Sequence, residues 1–138
     1  MRVRAGAREL TPEQREAMGG LAKASRARPP RGEEHVVLGL VFAWKHPRLG
    51  NGAWIIYQDD LGNPLTEPLA LYDVIDKRLS RQWELCKVEQ DSLALWPPIF
   101  GQPHFLEDAV ERKSPERARL DALRASIEAE ADKPGFSQ

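Results

Sequence analysis

The hydrophobic pattern of the chain changes character at His35. From His35 to Lys45 the sequence HVVLGLVFAWK carries apolar residues at both alternating sets of positions, which is typical of a strand buried on both faces. A second apolar stretch, 52–58 (GAWIIYQ), follows the turn-forming residues HPRLGN. The two stretches predict an antiparallel hairpin with Trp44 and Trp54 packed in the core.

Further strands are expected downstream of this hairpin. Two prolines restrict the segment 65–71 to an edge strand or an extended segment, with an edge strand favoured, because proline cannot donate a ladder hydrogen bond. The segments 82–88 and 92–96 predict a second hairpin, which the following pair of prolines ends.

Helix signals lie on either side of the strands. Thr11 and Gln14 have the spacing of a capping box around Pro12, which predicts a short N-terminal helix. Apolar residues at helical spacing after Asp73 predict a second short helix. Ser114 precedes a proline and an apolar stripe, which predicts a C-terminal helix to about residue 131, with a helical turn at 105–110 before it.

This order of elements predicts an α+β fold. It comprises one small antiparallel sheet of four to five strands, a short internal helix, an N-terminal helical arm and a C-terminal helix. A small SH3-like or OB-like barrel with helical extensions is the alternative, because five short strands can close on themselves.

Charge divides the chain into three parts. Residues 1–32 carry eight basic and three acidic residues and include the Pro/Arg-rich linker RARPPRG. Residues 33–112 hold all four tryptophans and are acidic, and residues 113–138 form the C-terminal helix and tail. The stable domain is expected to begin near Glu33, because the linker lacks apolar residues that could hold it in place.

Composition narrows the class of protein. With 138 residues, 41% hydrophobic and 30% charged, the chain is expected to fold in water as one domain. Charges throughout the first 16 residues argue against a secretory signal, and the longest apolar run is too short to cross a membrane. The single cysteine is consistent with a reducing cytoplasm, and 14 arginines against 6 lysines suggest a bacterial source.

The candidates for chemistry are few. His35, His46 and His104 lack the spacing of metal ligands, and Cys86 has the pattern of a small buried residue in a strand. Asp59 begins a turn rather than a calcium loop. No phosphate-binding or nucleophile-elbow motif is present. The sequence therefore predicts no catalytic residue, metal or cofactor.

The segment 95–105 (LWPPIFGQPHF) is unusually apolar for a stretch with three prolines. One of the four tryptophans is expected at the surface as an interaction anchor and the other three in the core. The predicted partner-binding residues are Trp96, Ile99, Phe100 and Phe105. Packing of this segment under the C-terminal helix is the competing interpretation.

These features favour a non-catalytic intracellular protein-binding module, adaptor or regulatory, which contacts a protein partner or a second copy of itself. The alternative is a nucleic-acid-associated protein that uses its basic arm on phosphates. The candidate residues for that role are Arg2, Arg4, Arg8, Arg26, Arg28 and Arg31. A small enzyme with a site assembled from distant residues is the third hypothesis, and no membrane interaction is expected.

Overall fold

The computed structural model describes residues 1–6, 8–24 and 29–133, with 19–24 described by backbone alone. Eight strands follow in chain order: β1 (Arg2–Ala5), β2 (Glu34–Val36), β3 (Gly39–His46), β4 (Gly50–Gln58), β5 (Pro64–Pro68), β6 (Tyr72–Asp76), β7 (Glu84–Glu89) and β8 (Ser92–Trp96). The helices are α1 (Pro12–Ala24), α2 (Phe105–Asp108) and α3 (Pro115–Asp132), with 3₁₀ turns at Leu69–Leu71 and Pro98–Gly101. The fold is α+β with two antiparallel sheets.

The five-stranded sheet confirms both predicted hairpins and the edge strand. Its order is β5-β4-β3-β8-β7, so β5 lies at an edge as its prolines require. The two edge strands do not pair with each other, and the sheet is open rather than closed into a barrel. The predicted caps are also present: the Thr11 amide donates to Gln14 Oε1 at 2.9 Å, and Ser114 Oγ accepts from the Arg117 amide at 3.1 Å.

A second sheet of order β2-β1-β6 has no counterpart in the sequence prediction. Its central strand comes from the basic N-terminal segment, where Val3 pairs with His35 on one side and Val74 on the other. Met1, Val3, Leu10 and Met18 are all part of the hydrophobic core. The described part of the segment before Glu33 thus contributes side chains to the core, and the domain boundary near Glu33 stays a prediction; residues 25–28 of the predicted linker lie outside the described part of the chain.

The helix expected after Asp73 is wrong, because these residues form β6. Val74 and Ile75 are β-branched, which favours a strand, and β1 supplies a pairing partner that the sequence did not reveal. The Asp73 carboxylate pairs with Arg8 instead of capping a helix.

The apolar run from His35 does not form one strand. Within it the chain passes from β2 of the three-stranded sheet to β3 of the five-stranded sheet. The Val37 amide donates to the Met1 carbonyl at 3.0 Å, in the three-stranded sheet. The next amide, that of Leu38, donates to the Ile56 carbonyl at 2.8 Å, in the five-stranded sheet. The run is apolar on both alternation faces because it passes through the core where the sheets meet.

A buried carboxylate joins the sheets. Glu67 of β5 accepts hydrogen bonds from the hydroxyls of Tyr57, at 2.6 Å, and of Tyr72. Burial, together with the bond to Glu67, holds the pKa of Tyr72 far above its usual range. His35 of β2 stacks on Tyr57 with ring centroids 3.8 Å apart. We call these four residues the tyrosine clamp.

Arg78 fastens the end of α3 to the loop after β6. Its guanidinium donates to the carbonyls of Ala131 and Lys133, both at 2.8 Å, and to the Asp76 carboxylate at 2.6 Å. A cation at this position satisfies the last carbonyls of a helix. The hydrogen bonds from Arg78 lower the pKa of Asp76 to about 2.

Within the described residues, no helix has the length and apolar character needed to span a membrane.

Asp76 makes the stability of the protein sensitive to acid. Its folded pKa lies below the unfolded value, so its contribution is present above about pH 4 and lost as the pH falls towards 2. We expect Asp76→Asn to reduce the loss of unfolding free energy between pH 5 and pH 2 by about 1 to 2 kcal/mol. Urea denaturation at several pH values measures this difference. Identical pH profiles for the two proteins contradict the role given to Asp76.

Candidate functional site

The aromatic residues predicted to bind a partner lie in the core. Trp96, Phe100 and Phe105 are 7%, 4% and 3% exposed, and Ile99 is half-buried against them. Phe100 lies with its ring centroid 5.9 Å from each of the other two rings. The expectation that these rings are exposed together is wrong, because the proline turns fold them against the sheet; a role in binding stays an untested prediction.

Several of the arginines proposed to bind nucleic acid form ion pairs with carboxylates. The described ion pairs are Arg2 with Asp132, Arg4 with Glu34, and Arg8 with Asp73. Arg31 is exposed, and Arg26 and Arg28 lie outside the described residues. Three of the six guanidinium groups therefore carry a neutralising partner before any phosphate could bind.

An exposed apolar surface occupies one side of β3, β8 and β7. Phe42 and Trp44 alternate on the same face of β3 and are 37% and 41% exposed. Phe42 is opposite Leu93 of β8, and Leu85, 67% exposed, is opposite Leu95 on that strand. We call Phe42, Trp44, Leu85 and Leu93 the aromatic face.

The prediction that Trp44 and Trp54 both pack in the core is thus half right. Trp54 is fully buried, as expected, whereas Trp44 is exposed, although both were expected in the core. Trp83 and Trp96 are buried as well, which confirms the expected division of three core tryptophans and one surface tryptophan.

The aromatic face is exposed to solvent because the elements that pack on this side of the five-stranded sheet cover only part of its width. The three-stranded sheet covers Tyr57 of β4 through His35 and Tyr72. Helix α1 lies beside β4, where Met18 approaches so closely that a Cβ on Gly52 (φ 149°) would lie 2.8 Å from its Cε. On the opposite side, Phe100 packs near Gly39. The described covering elements stop short of β8 and β7.

Two lysines lie beside the aromatic face. Lys87 pairs with Leu93 and therefore projects from the same side, and Lys45 follows Trp44 in an exposed bulge with φ 51°. The carboxylates of β7 belong to the other side, since Glu84 pairs with Trp96 and Glu89 with Ser92. In the described part of the chain, neither lysine has an ion-pair partner.

A polar cavity of about 340 Å³ lies where β2 meets the end of β4. Its charged lining consists of Arg2, Glu34, Asp59, Asp60, Arg124 and Glu128, beside His35 and Gln58. The side chain of His35 is 10% exposed and its Nε2 lies 2.6 Å from Glu33 Oε1. Gln58 Nε2 donates to the Gly62 carbonyl and to Asp121 Oδ1, which fixes its amide.

The other two histidines have local roles. His46 Nδ1 accepts from the amides of Arg48 and Leu49, both at 3.1 Å, and so shapes the β3–β4 turn. His104 is exposed, and its hydrogen bond with Glu107 raises the pKa of its ring. Across residues 1–6, 8–24 and 29–133, no three or more His, Cys, Asp or Glu side chains form a group that could hold a metal ion.

Comparisons with family models, with curated proteins and with solved structures found no match for this chain. Sequence reasoning missed Phe42 and Leu85, because alternation shows which residues share a face but not whether another layer covers that face.

Substitution of the two hairpin tryptophans separates the exposed ring from the buried one. Trp54→Ala is expected to lower the unfolding free energy by about 3 to 5 kcal/mol because it leaves a cavity in the core. Trp44→Ala is expected to cost less than about 1 kcal/mol. Urea denaturation gives both values, and acrylamide quenching of Trp44→Phe should show loss of most of the accessible fluorescence. Equal destabilisation by the two alanine variants contradicts the exposure of Trp44.

Proposed function

We propose that this protein is a non-catalytic protein-binding module that uses the aromatic face to contact a partner surface combining apolar and acidic side chains. The observation that carries the proposal is the exposure of Phe42 and Trp44 on β3 and of Leu85 on β7, joined on the same face by Leu93 of the intervening strand β8. Tryptophan and other aromatic residues are enriched among the residues that dominate binding energy.

The size of the aromatic face fits a transient contact. An aromatic side chain buries about 150 to 250 Å², so the exposed parts of these residues amount to roughly 300 Å² of apolar surface. At about 25 cal/mol per Å², its burial contributes roughly 7 kcal/mol before the costs of association. A stable interface needs about 800 Å² on each partner, so the aromatic face is the centre of an interface and not the whole of one.

Charge favours a different protein over a second copy of this chain. Lys87 projects beside the apolar residues, and self-association through this face would bring the lysine of each copy into one interface. Like charges across an interface oppose association, whereas carboxylates on a partner complement them. A partner with leucine or phenylalanine flanked by glutamate or aspartate satisfies both requirements.

Nucleic acid is the weaker candidate. An exposed tryptophan beside lysines also suits a stacked base, but residues 33–110 carry six basic and twelve acidic residues, which repel phosphates. Three of the candidate arginines have carboxylate partners. The proposal does not depend on an SH3-like or OB-like relationship of the five-stranded sheet.

Two synthetic peptides test the stated partner chemistry. One has leucine and phenylalanine on one side of an amphipathic sequence with glutamate at every other position, and the second replaces each glutamate by lysine. We expect the glutamate peptide to bind and to protect Trp44 from acrylamide, with affinity reduced at least about ten-fold in Trp44→Ala and in Lys87→Glu. Leu61→Ala is the matched control, because Leu61 is 62% exposed but lies outside the aromatic face.

Other results of these binding experiments would contradict the proposal or favour nucleic acid or self-association. Equal binding of both peptides, or binding unchanged by Trp44→Ala, contradicts the proposal. Binding of an oligothymidylate that protects Trp44 supports the nucleic-acid hypothesis instead. A dimer in sedimentation equilibrium that Trp44→Ala abolishes shows that the aromatic face binds a second copy of this chain.

A further inference from the structure

We propose that the partner binds by strand addition: an extended peptide segment with an acidic residue pairs antiparallel with the free edge of β7 and lengthens the five-stranded sheet. This inference rests on the proposed function, because it states how the partner chain reaches the aromatic face. Its backbone bonds to β7, and its side chains continue the row that Leu85 and Lys87 form on that side of the sheet.

The first step is the accessibility of β7. Four described strands lie at sheet edges, namely β2, β5, β6 and β7. Strand β2 has only three residues, and proline stands at both ends of β5. Strand β7 is the longest of the four, with six residues, contains no proline, and exposes five of its residues. A strand of this kind is a template for pairing with another chain.

The second step is the direction of the backbone groups. The Trp44 amide donates to the Asp91 carbonyl at 2.9 Å, and the β3–β8 register continues without a shift to Leu93. Backbone groups alternate between the two neighbours of an antiparallel strand, so those of Leu93 bond to β3 and those of Ala94 bond to β7. Ala94 pairs with Cys86. The backbone groups on either side of Cys86 therefore point away from β8.

The residues on either side of Cys86 are Leu85 and Lys87. Their two amides and two carbonyls face the free edge of the sheet, and no backbone hydrogen bond among the described residues outside the β7–β8 ladder uses them. An added antiparallel strand would bond to all four groups. The residues opposite Leu85 and Lys87 would then project their side chains from the side that carries the aromatic face.

The third step is charge, which specifies the incoming strand. Lys87 has no ion-pair partner in the described part of the chain, and Glu84 is exposed on the other side of β7. Opposite charges directly across two strands stabilise the pair. From its N-terminus, the fitting strand carries an acidic residue, any residue, an apolar residue and a basic residue. The acidic residue lies opposite Lys87, the apolar one opposite Leu85 and the basic one opposite Glu84.

A second copy of this chain fits the edge less well. When two copies of β7 pair antiparallel in one continuous sheet, each side chain stays on its own side. The carboxylates of β7, Glu84 and Glu89, pair with Trp96 and Ser92 and belong to the side opposite Lys87. A second copy therefore brings no carboxylate of β7 beside Lys87, whereas an acidic peptide does.

Contact area points the same way. The aromatic face supplies roughly 300 Å² of apolar surface, whereas a stable interface needs about 800 Å² on each partner. The free edge of β7 adjoins the aromatic face through Leu85. A strand paired there adds backbone hydrogen bonds and buried surface without a second, separate site.

Backbone methylation of a synthetic peptide tests strand addition on the unaltered protein. The parent peptide has threonines on both sides of the order glutamate, threonine, leucine, lysine. Methyl groups on the amide nitrogens of glutamate and leucine remove the donors that would face β7. Methyl groups on those of the central threonine and the lysine point away from β7 and are the matched control. We expect the first pair to weaken binding at least about ten-fold and the second pair to change it less than about two-fold.

Amide hydrogen exchange measured by nuclear magnetic resonance locates the bound peptide. In the free protein the amides of Leu85 and Lys87 are expected to exchange faster than that of Cys86, because only the Cys86 amide faces β8. Saturation with the parent peptide should slow exchange at Leu85 and Lys87.

A charge exchange tests the pairing opposite Lys87. Lys87→Glu is expected to weaken the parent peptide at least about ten-fold, and a peptide with lysine in place of its glutamate should recover most of that loss. Lys113→Glu is the control, because Lys113 is exposed before α3 and outside the aromatic face. It should leave the binding of both peptides unchanged.

The remaining outcomes separate this inference from the proposed function. Equal effects of the two methyl pairs, with binding of the glutamate peptide that depends on Trp44, keep the protein-binding function and overturn strand addition. Methyl-dependent binding that Trp44→Ala leaves unchanged supports strand addition and contradicts the role of the aromatic face. Stronger binding of the reversed sequence contradicts the antiparallel register. A dimer without peptide that protects the Leu85 and Lys87 amides shows that a second copy occupies the edge instead.

Discussion

The Glu67 carboxylate, shared between the hydroxyls of Tyr57 and Tyr72, is the interaction on which the arrangement of the two sheets depends. A buried carboxylate is tolerated only where donors replace the water that it loses. Here one donor comes from the five-stranded sheet and the other from β6 of the three-stranded sheet. Removing Glu67 takes the shared acceptor away from two buried hydroxyls, and a buried polar group that loses its partner costs about 1 to 3 kcal/mol. The position of one sheet on the other is thus specified by polar contacts inside an apolar core.

The tyrosine clamp also explains where the proposed binding surface lies. It holds the three-stranded sheet over β4 and β5, so this layer does not extend across β8 and β7, and Phe42 and Trp44 are left exposed. His35 belongs to the clamp through its stacking on Tyr57. The exposure of the aromatic face is therefore a consequence of this packing arrangement.

The sequence predicted the parts of the fold that depend on neighbours in the chain. Both hairpins, the caps at Thr11 and Ser114 and the proline-limited edge strand follow from local chemistry and are present. The second sheet escaped prediction because β1 has only four residues, too few to show a period, and pairs with residues about 30 and 70 positions away. The helix wrongly predicted after Asp73 has the same cause, because these residues pair with β1 in the second sheet. The exposure of Trp44 could not be predicted either, since it depends on the width of a layer that the sequence did not reveal.

Native-state hydrogen exchange tests most directly whether the two sheets form one cooperative unit held by the tyrosine clamp. We expect the amides of Val3 and Ala5 in β1 to exchange with a free energy of opening close to that of Ile55 and Tyr57 in β4. In Glu67→Ala, the opening free energies of both strands should fall together by a similar amount. Exchange of the β1 amides at rates near those of an unfolded chain, with β4 still protected, contradicts this account and restores the N-terminal segment to the status of a separate arm.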